Sequence, residues 1–450
     1  ILIGNGVNPA VLWLARYFEA RRAKLDVLPA LQISHVETWV ATLSASLAAG
    51  ASYASLMLTD FRGFRDFGVI SGVGMVFCWT SSLVLLPAIT LLVERWFPMR
   101  ELKYVRVDRA GPYGALFWHL VSARPRAILR AAAFMGVACS ALVAYAIYHD
   151  PIEYDFSKQR SIRKAATESS LINGYVSDII GRSSIGNSIL VVLHDRAQAQ
   201  HWEQKLEHAP PEVRAQYGAV RSIDDLLPRD QSQKLIVLGE IRRLMLDARR
   251  FASDSQAKEL DENLPSASLR ALTPEDLPKT AARPFTERDG TRGRLIYVSQ
   301  ADDQSTWDGR YLIRWTNALR GFSAEDATQP LFVGNAPVFA DMLQVVWTDG
   351  PKAVALALFA TCALVVLTFG NLRARLLTLG SLALGVTWMV GVMALLRIRL
   401  NFLNFVCFPI TFGNGVDYAV NVMQRFEIER ARLSVTDAVR ETMRNSGGAV

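Results

Sequence analysis

Long apolar stretches recur along this chain and constrain its fold more than any other feature of the sequence. Each carries at most one charged residue and has roughly the length that an α-helix needs to cross a hydrocarbon layer of about 30 Å. They span residues 38–58, 67–93, 131–148, 353–369, 376–396 and 402–423. Residues 1–17 form a seventh, more polar stretch, so we expect about seven transmembrane helices.

These stretches divide the chain into membrane and water-exposed segments. The sequence begins within an apolar run and ends on residues 447–450, which look like the opening of another, so we interpret it as a fragment of a longer polytopic protein. The segments are a membrane region at 1–93, a linker at 94–130, one span at 131–148, an insert at 149–346, three spans at 347–426, and a helix with the start of a further span at 427–450.

Basic residues lie mainly beside the apolar stretches. The chain has a net charge of +7, and segments 16–24 and 94–130 are both rich in lysine and arginine. Because these residues are enriched in cytoplasmic loops, we expect both segments to be cytoplasmic and the insert to be periplasmic, in a bacterial inner membrane. Arg397 and Arg399 fall on the outer side and do not fit this pattern. The same distribution argues against nucleic-acid binding.

The insert has the sequence pattern of a mixed α/β domain. Predicted strands lie at 188–193, 294–298 and 330–334, and predicted helices at 161–180, 197–208, 231–251 and 306–319. Residues 259–292 are rich in proline and charge, and we expect an exposed loop or strap there. All cysteines of the chain fall in apolar stretches, so the insert has no thiols for a zinc site, and we expect no metal and no cofactor.

One short motif occurs twice at a fixed offset. Ile-Leu-Ile-Gly-Asn-Gly-Val-Asn-Pro-Ala-Val at residues 1–11 recurs as Ile-Thr-Phe-Gly-Asn-Gly-Val-Asp-Tyr-Ala-Val at residues 410–420. At the same offset of 409 residues, Arg16 corresponds to Arg425. This register indicates a duplicated membrane half. Duplicated halves are typical of transporters, whose coupling sites lie near the middle of the bilayer.

The second copy carries an acidic residue inside an apolar stretch. An ionised carboxylate there costs several kcal/mol and is retained mainly for function. Asn414 and Asn421 lie one helical turn to either side of Asp417, and Tyr418 follows it. We predict that these four residues form a proton or cation relay. The simpler interpretation is that Asp417 lies near a helix end and pairs with Arg425.

The first copy differs at the corresponding position. It carries Asn8, which cannot ionise, followed by Pro9, which is expected to bend the helix. We therefore expect the proton-binding function to be asymmetric between the two copies.

The motif Gly-Asn-Gly-Val-Asp-Tyr at residues 413–418 resembles the signature in the fourth and tenth spans of the resistance-nodulation-division (RND) superfamily. Residues 4–9 keep its glycine frame and lack the Asp-Tyr pair. Residues 53–68 are similar to MMPL-type lipid exporters, in particular members associated with hopanoid biosynthesis. This resemblance implies a membrane α-helical bundle with about seven of twelve transmembrane helices from duplicated halves, plus an α/β periplasmic domain.

The resemblance also implies a function. The protein would be a secondary transporter and not an enzyme, using proton entry to export a hopanoid or similar lipid from the inner towards the outer membrane. Its partners would be the lipid, the membrane, protons and further copies of itself in a dimer or trimer. Alternatives are a non-transporting sensor or scaffold with sterol-sensing-like helices, an RND exporter of drugs or other lipids, and a lipid-modifying enzyme, for which no residue set in the insert converges.

A lipid cargo would need an apolar groove, because its hydrocarbon must be shielded from water while it moves. The segment that joins the insert to the following span is rich in large apolar residues. We expect Phe332, Phe339, Met342 and Leu343 to line this groove.

Overall fold

The computed structural model describes residues 2–97, 119, 121–159, 172, 188–324 and 326–446. They fall into two compact units, each described by itself: a membrane unit of residues 1–153 and 342–450, and an insert unit of residues 154–341. Most of the expected linker at 94–130, the predicted helix at 161–180 and the chain end at 447–450 lie outside the described residues.

The described residues of the two units contain fifteen α-helices of five or more residues and four strands. The helices are α1 Leu2–Gly6, α2 Asn8–Arg22, α3 Val27–Ala54, α4 Arg62–Thr80, α5 Leu86–Trp96, α6 Pro125–Tyr148, α7 Arg196–Glu207, α8 Gln231–Arg249, α9 Asp254–Glu262, α10 Gly309–Ser323, α11 Asn335–Thr348, α12 Gly350–Thr368, α13 Leu372–Leu395, α14 Cys407–Arg430 and α15 Val435–Ser446. The strands are β1 Ile189–Val192, β2 Tyr217–Arg221, β3 Leu295–Gln300 and β4 Leu331–Val333.

Within the described residues, five helical segments are long and apolar enough to cross a membrane, which confirms the expected membrane helical bundle. They are Val27–Leu58, Arg62–Trp96, Pro125–Tyr148, Gly350–Thr368 and Leu372–Leu395. The second segment joins α4 to α5 through a π-helical turn at Ser81–Leu85. The other two predicted spans contain the repeat copies. One is the short pair α1 and α2, and the other is the polar-striped α14 of 24 residues.

The first repeat copy is broken where proline predicted a bend. Helix α1 ends at Gly6 and α2 begins at Asn8, with Pro9 in the first turn of α2, where a missing N–H group leaves no hydrogen bond unmade. The second copy carries Tyr418 at this position, and α14 continues through it.

Helix α3 is the centre of the membrane unit and contacts α2, α4, α12 and α14. Small residues permit this close packing, because without large side chains the helix backbones approach one another. A Cβ atom on Gly413 of α14 would lie 2.9 Å from the Cα atom of Ala49 in α3. Only glycine therefore lets the second repeat copy approach α3 this closely.

The insert unit is built on a four-stranded antiparallel sheet in the order β2-β3-β1-β4. Alternate residues of β1 are buried, as expected for a strand with one face on a core. Ile189 and Val191 of β1 and Ile296 and Val298 of β3 are all 0% exposed. Helix α7 contacts β2 and β3. The α/β character expected for this segment is thus present.

Strands β1, β3 and β4 match the predicted strands, and α7, α8 and α10 match predicted helices within a few residues. Strand β2 was not predicted, because its sequence Tyr-Gly-Ala-Val-Arg contains a glycine that lowers strand propensity. A Cβ atom on Gly218 would lie 2.5 Å from the backbone oxygen of Gln300, beside a register shift between β2 and β3. Glycine is therefore required by the close approach of the two strands.

The exposed strap expected at residues 259–292 is wrong in part. Its first residues complete α9, and Ala282 and Phe285 are 0% and 5% exposed. These two side chains form a small cluster with Ile223. Ala282 and Phe285 therefore form a buried apolar anchor in this segment, although its many prolines and charged residues predicted exposure.

Candidate functional site at the paired repeats

Asp417 lies in the middle of α14 and its side chain is buried. The helix begins at Cys407, so Asp417 lies ten residues from its start and 13 from its end at Arg430. The residue is 5% exposed. Arg425 forms ion pairs with Glu19 and Glu429, and not with Asp417. The geometry therefore contradicts the simpler interpretation of an acid at a helix end paired with Arg425.

Two amide side chains donate hydrogen bonds to the Asp417 carboxylate. Asn8 Nδ2 lies 2.8 Å from Asp417 Oδ2, and Asn421 Nδ2 lies 2.7 Å from Asp417 Oδ1. Asn421 belongs to the same helix, one turn later, whereas Asn8 comes from the first turn of α2. The carboxylate is thus bonded at the same time by its own copy of the repeat and by the other copy.

A second polar contact joins the copies one turn away. Asn5 Nδ2 donates to Asn414 Oδ1 at 2.5 Å and to the hydroxyl of Tyr53 at 2.7 Å. The Tyr53 hydroxyl in turn donates to Asn414 Oδ1 at 2.6 Å. Asn5 and Tyr53 are 4% and 0% exposed. The buried donors of Asn5 and Tyr53 are therefore satisfied within this triangle.

Both contacts join residues that are equivalent in the repeat. Asn5 corresponds to Asn414 and Asn8 to Asp417, each at the offset of 409 residues. In a symmetric pair, only residues beside the two-fold axis contact their own equivalents. The two copies therefore meet at a local pseudo-two-fold axis, and Asp417 lies beside it. The predicted mid-bilayer site between duplicated halves has this form.

Charged residues follow the polar contacts one to two turns further along α2 and α14. Arg16 and Arg425 are equivalent in the repeat, and both bind Glu19, at 2.5 and 3.0 Å. Arg16 also contacts Glu37 of α3. We call these four residues the arginine–glutamate cluster. Glu19 has no acidic equivalent, because Ile428 occupies that position in the second copy.

The structure brings together three of the four predicted relay residues, Asp417, Asn414 and Asn421, and adds the first-copy equivalent Asn8. Tyr418 lies apart. It is 41% exposed, and the residues described offer its hydroxyl no hydrogen-bond partner. Because consecutive residues differ by about 100° around a helix, Tyr418 lies on a different face of α14 from Asp417.

The four predicted lipid-groove residues do not share one lining. Phe332 lines a cavity of about 360 Å³ with Arg320 and Gln329, whereas Phe339 lines a separate cavity of about 200 Å³. Met342 is half-buried, and Leu343 is 0% exposed. Leu343 is therefore a packing residue of α11.

Sequence reasoning missed Asn5 and Tyr53 as site residues. Asn5 carried a signal, because it is the repeat equivalent of Asn414. Tyr53 carried none within the repeat, since it comes from α3 and reaches the site through packing alone. In the part of the chain that the structure describes, no group of three or more His, Cys, Asp or Glu side chains is placed to hold a metal ion.

The sequence model of the MMPL family matches residues 1–128 and 180–450. The chain belongs to the MMPL family. A curated relative is the hopanoid transporter HpnN of Rhodopseudomonas palustris, which is 24% identical over 235 residues, covering 52% of this chain and 25% of HpnN. The chain therefore spans only part of the length of this relative.

Two solved structures share the fold across the whole chain. The hedgehog release protein Disp from the water bear Hypsibius dujardini aligns with a TM-score of 0.56 at 14% identity, covering 56% of Disp. SecDF of Thermus, a translocon-associated membrane protein, aligns with a TM-score of 0.52 at 13% identity, covering 46% of SecDF. At these identities the likeness concerns the fold of RND-like membrane proteins. It confirms the multi-pass architecture that the repeat and the apolar stretches predicted.

Proposed function

We propose that this protein is a proton-driven transporter that exports a lipid of the hopanoid class, with Asp417 as the proton-binding group. The observation that carries the proposal is the hydrogen bond between Asp417 and its repeat equivalent Asn8. A buried carboxylate bonded across the contact of two duplicated halves joins proton binding to the relative position of those halves. A proton that enters through 100 mV releases about 2.3 kcal/mol, and each pH unit adds about 1.4.

Protonation changes the hydrogen bonding of this pair. The ionised Asp417 accepts from the amide groups of Asn8 and Asn421, which both act as donors. A proton on either carboxylate oxygen turns that oxygen into a donor, so a donor then faces a donor. The conflict at Asp417 Oδ2 is relieved when the Asn8 amide rotates to present its carbonyl oxygen. Because Asn8 belongs to the other copy, this rotation changes the contact between α2 and α14.

The test is proton-coupled transport by the complete protein in lipid vesicles with an imposed pH gradient. Asp417→Asn removes the proton-binding group while keeping its shape, and we expect transport to fall by about 100-fold or more. Asn8→Asp should at most shift the pH optimum, since Asp417 remains. Wild-type transport by Asp417→Asn would refute Asp417 as the proton-binding group, whereas no transport by the wild-type protein itself would favour the non-transporting sensor or scaffold.

The proposal includes a periplasmic insert unit in a bacterial inner membrane, supported by the basic segments beside the spans. Single cysteines at Ser255 and Lys24, both exposed, test this orientation in a background without the four native thiols. An impermeant thiol reagent added to intact cells should label Ser255→Cys and not Lys24→Cys. The opposite labelling would reverse the direction of transport.

For the lipid, the proposal places part of the cargo in the cavity lined by Phe339. Its lining includes Trp307, Leu312 and Ala336, and its volume of about 200 Å³ suits a fragment of a lipid more than a whole one. Ala336→Leu should fill the cavity and reduce hopanoid transfer to acceptor vesicles, while proton uptake driven by the gradient stays intact. Unchanged transfer would place the lipid path elsewhere.

A further inference from the structure

A small cavity lies beside the repeat contact in the membrane unit, with a volume of about 70 Å³. It is lined by side chains of α2, α3 and α14, and both Asn421 and the arginine–glutamate cluster border it. Its lining includes Ala15, Arg16, Glu37, Asn421, Gln424 and Arg425. At about 30 Å³ for each molecule in the liquid, this volume has room for about two waters.

Buried polar atoms on this lining lack hydrogen-bond partners. Among the residues that the structure describes, none bonds Asn421 Oδ1, Gln424 Oε1 or the Nε atoms of Arg16 and Arg425. Four orphaned groups around one small cavity would be costly if the cavity were dry. Buried water typically makes two to four hydrogen bonds to groups of this kind. Both the size and the chemistry of the cavity therefore fit ordered water.

Asn421 connects this cavity to the proton-binding group. Its Nδ2 atom donates to Asp417 Oδ1 at 2.7 Å, and its orphaned Oδ1 atom belongs to the cavity lining. At the other end stands the Glu37 carboxylate, 19% exposed and bound to Arg16. On α14 the lining runs from Asn421 to Ile428, so the cavity extends over about two helical turns beside the arginine–glutamate cluster.

We propose that the cavity is a water-filled proton passage between Asp417 and Glu37, with Glu37 as the proton acceptor on the side of the arginine–glutamate cluster. This inference rests on the proposed proton-driven function and adds its route. When the Asn421 amide turns away from Asp417, a cavity water takes its place at the carboxyl group. The O–H bond of protonated Asp417 breaks as this water gains the proton, and the water passes a proton on to the Glu37 carboxylate. The neutral Glu37 loosens from Arg16 and then releases the proton to solvent, which restores the ion pair. Arg16 and Arg425 keep the passage from holding a resident cation.

The experiment measures proton flux into vesicles that contain the complete protein and a trapped pH-sensitive dye. Glu37→Gln keeps the size of the side chain and removes the acceptor, so flux should fall by about 10-fold or more. Glu37→Asp keeps the carboxylate, and flux should stay within about 3-fold of wild type because water bridges the missing methylene group. A purely structural role would not separate these two variants in this way.

Glu429→Gln is the matched control. Glu429 pairs with Arg425 at 2.6 Å and is 14% exposed, yet it does not line the cavity. Its variant should keep wild-type flux. If Glu37→Gln does not fold, Ala15→Val narrows the cavity without changing any charge, and it should reduce flux about 5-fold by displacing water.

Asp417→Asn in the same vesicles distinguishes failure of the passage from failure of the proposed function. Loss of flux with Asp417→Asn but not with Glu37→Gln or Ala15→Val overturns the passage and leaves the proposed function standing. Full flux with Asp417→Asn overturns the proposed function itself. Equal losses with Glu37→Gln and Glu429→Gln also overturn the passage, since the ion pairs would then act only through stability.

Discussion

In the first repeat copy, helix α1 ends at Gly6 and helix α2 begins at Asn8, whereas the second copy runs through Asp417 as one helix. Yet the equivalent side chains still meet, because the shared glycine and asparagine frame brings both copies to the same pseudo-two-fold axis. Two carboxylates at this distance would repel each other when ionised. An asparagine opposite one aspartate instead provides a permanent donor. The shared glycine and asparagine residues therefore determine where the two copies meet, and the residue at position 8 or 417 determines the charge at that contact.

The asymmetry extends along both helices. The residue equivalent to Asn421 in the first copy is Leu12, which cannot donate a hydrogen bond. The residue equivalent to Glu19 in the second copy is Ile428. The second copy thus holds Asp417, the proposed proton-binding group, with its second donor, and the first copy holds the acid that binds both equivalent arginines. Each copy is specialised for one end of the polar region.

The strongest test of this comparison exchanges the two central residues. The double variant Asn8→Asp/Asp417→Asn keeps the number of carboxylates and moves the charge to the first copy. Leu12 cannot replace the donor that Asn421 provides, and one hydrogen bond to a charged group contributes about 1.5–3 kcal/mol. We expect proton-driven transport at least about 10-fold below wild type, combined with the altered position of the carboxylate. Wild-type transport would mean that the two copies are interchangeable and that only the charge count matters.

A single substitution tests the same asymmetry between the two copies. Asn421→Leu places the first-copy residue in the second copy and removes one of the two donors to Asp417. We expect transport to fall about 10-fold, for the loss of one hydrogen bond to a carboxylate. Val422→Leu, at the next position of α14, serves as the control and should transport normally. Normal transport by Asn421→Leu would show that Asn8 alone suffices to hold the carboxylate.

Tyr53→Phe tests the second contact between the copies. It removes the hydroxyl that accepts from Asn5 and donates to Asn414, while the direct bond between the two asparagines remains. We expect a loss of about 1–2 kcal/mol in stability and a transport rate about 3- to 5-fold lower. Tyr418→Phe is the matched control, because that hydroxyl is exposed and should be dispensable. A larger effect from Tyr418→Phe than from Tyr53→Phe would restore Tyr418 to the relay and break the present assignment.

The parts of this site that sequence reasoning located are those that the repeat itself encodes. Asp417, Asn8, Asn414 and Asn421 followed from one offset and one helical period, because equivalent positions of duplicated helices meet at their axis. Tyr53 and Glu37 come from α3, whose contact with both copies depends on packing that no local pattern encodes. Tyr418 lies outside the hydrogen-bonded group around Asp417, because sequence adjacency does not mean a shared helix face.

The same limit applies to the fold. Apolar length located the spans, and residue period located β1 and β3, since both patterns are local. Strand β2 and the anchor at Phe285 depend on partners distant in sequence, namely β3 and the cluster around Ile223. Such partners override local propensity.

The least effect on transport is expected for Glu203 of α7, a half-buried carboxylate without a repeat partner. Glu203 of α7 accepts a hydrogen bond from the Ser222 hydroxyl at 2.9 Å. Burial, together with the neighbouring Asp225 and Asp224, raises the pKa of Glu203 to about 7. If burial of an acid alone created a functional group, Glu203 would be one. We expect instead that Glu203→Gln transports lipid and protons as wild type does.

Its effect should be on stability, with a defined pH dependence. Because the pKa of Glu203 is higher in the folded protein than the value of about 4.3 in the unfolded chain, the folded state holds the extra proton between these values. Its contribution to stability is therefore complete below about pH 4 and is lost as pH rises towards 7. Glu203→Gln should stabilise the insert unit at pH 8 by on the order of 1 kcal/mol, reduced by the partial exposure of the side chain, and leave it unchanged at pH 4. Hydrogen exchange of β1 and β3 amides, compared with wild type at each pH in the complete protein, measures this difference. Equal protection at pH 8 would show that ionised Glu203 costs the fold no stability, whereas a transport defect would show that a half-buried acid needs no repeat partner to act.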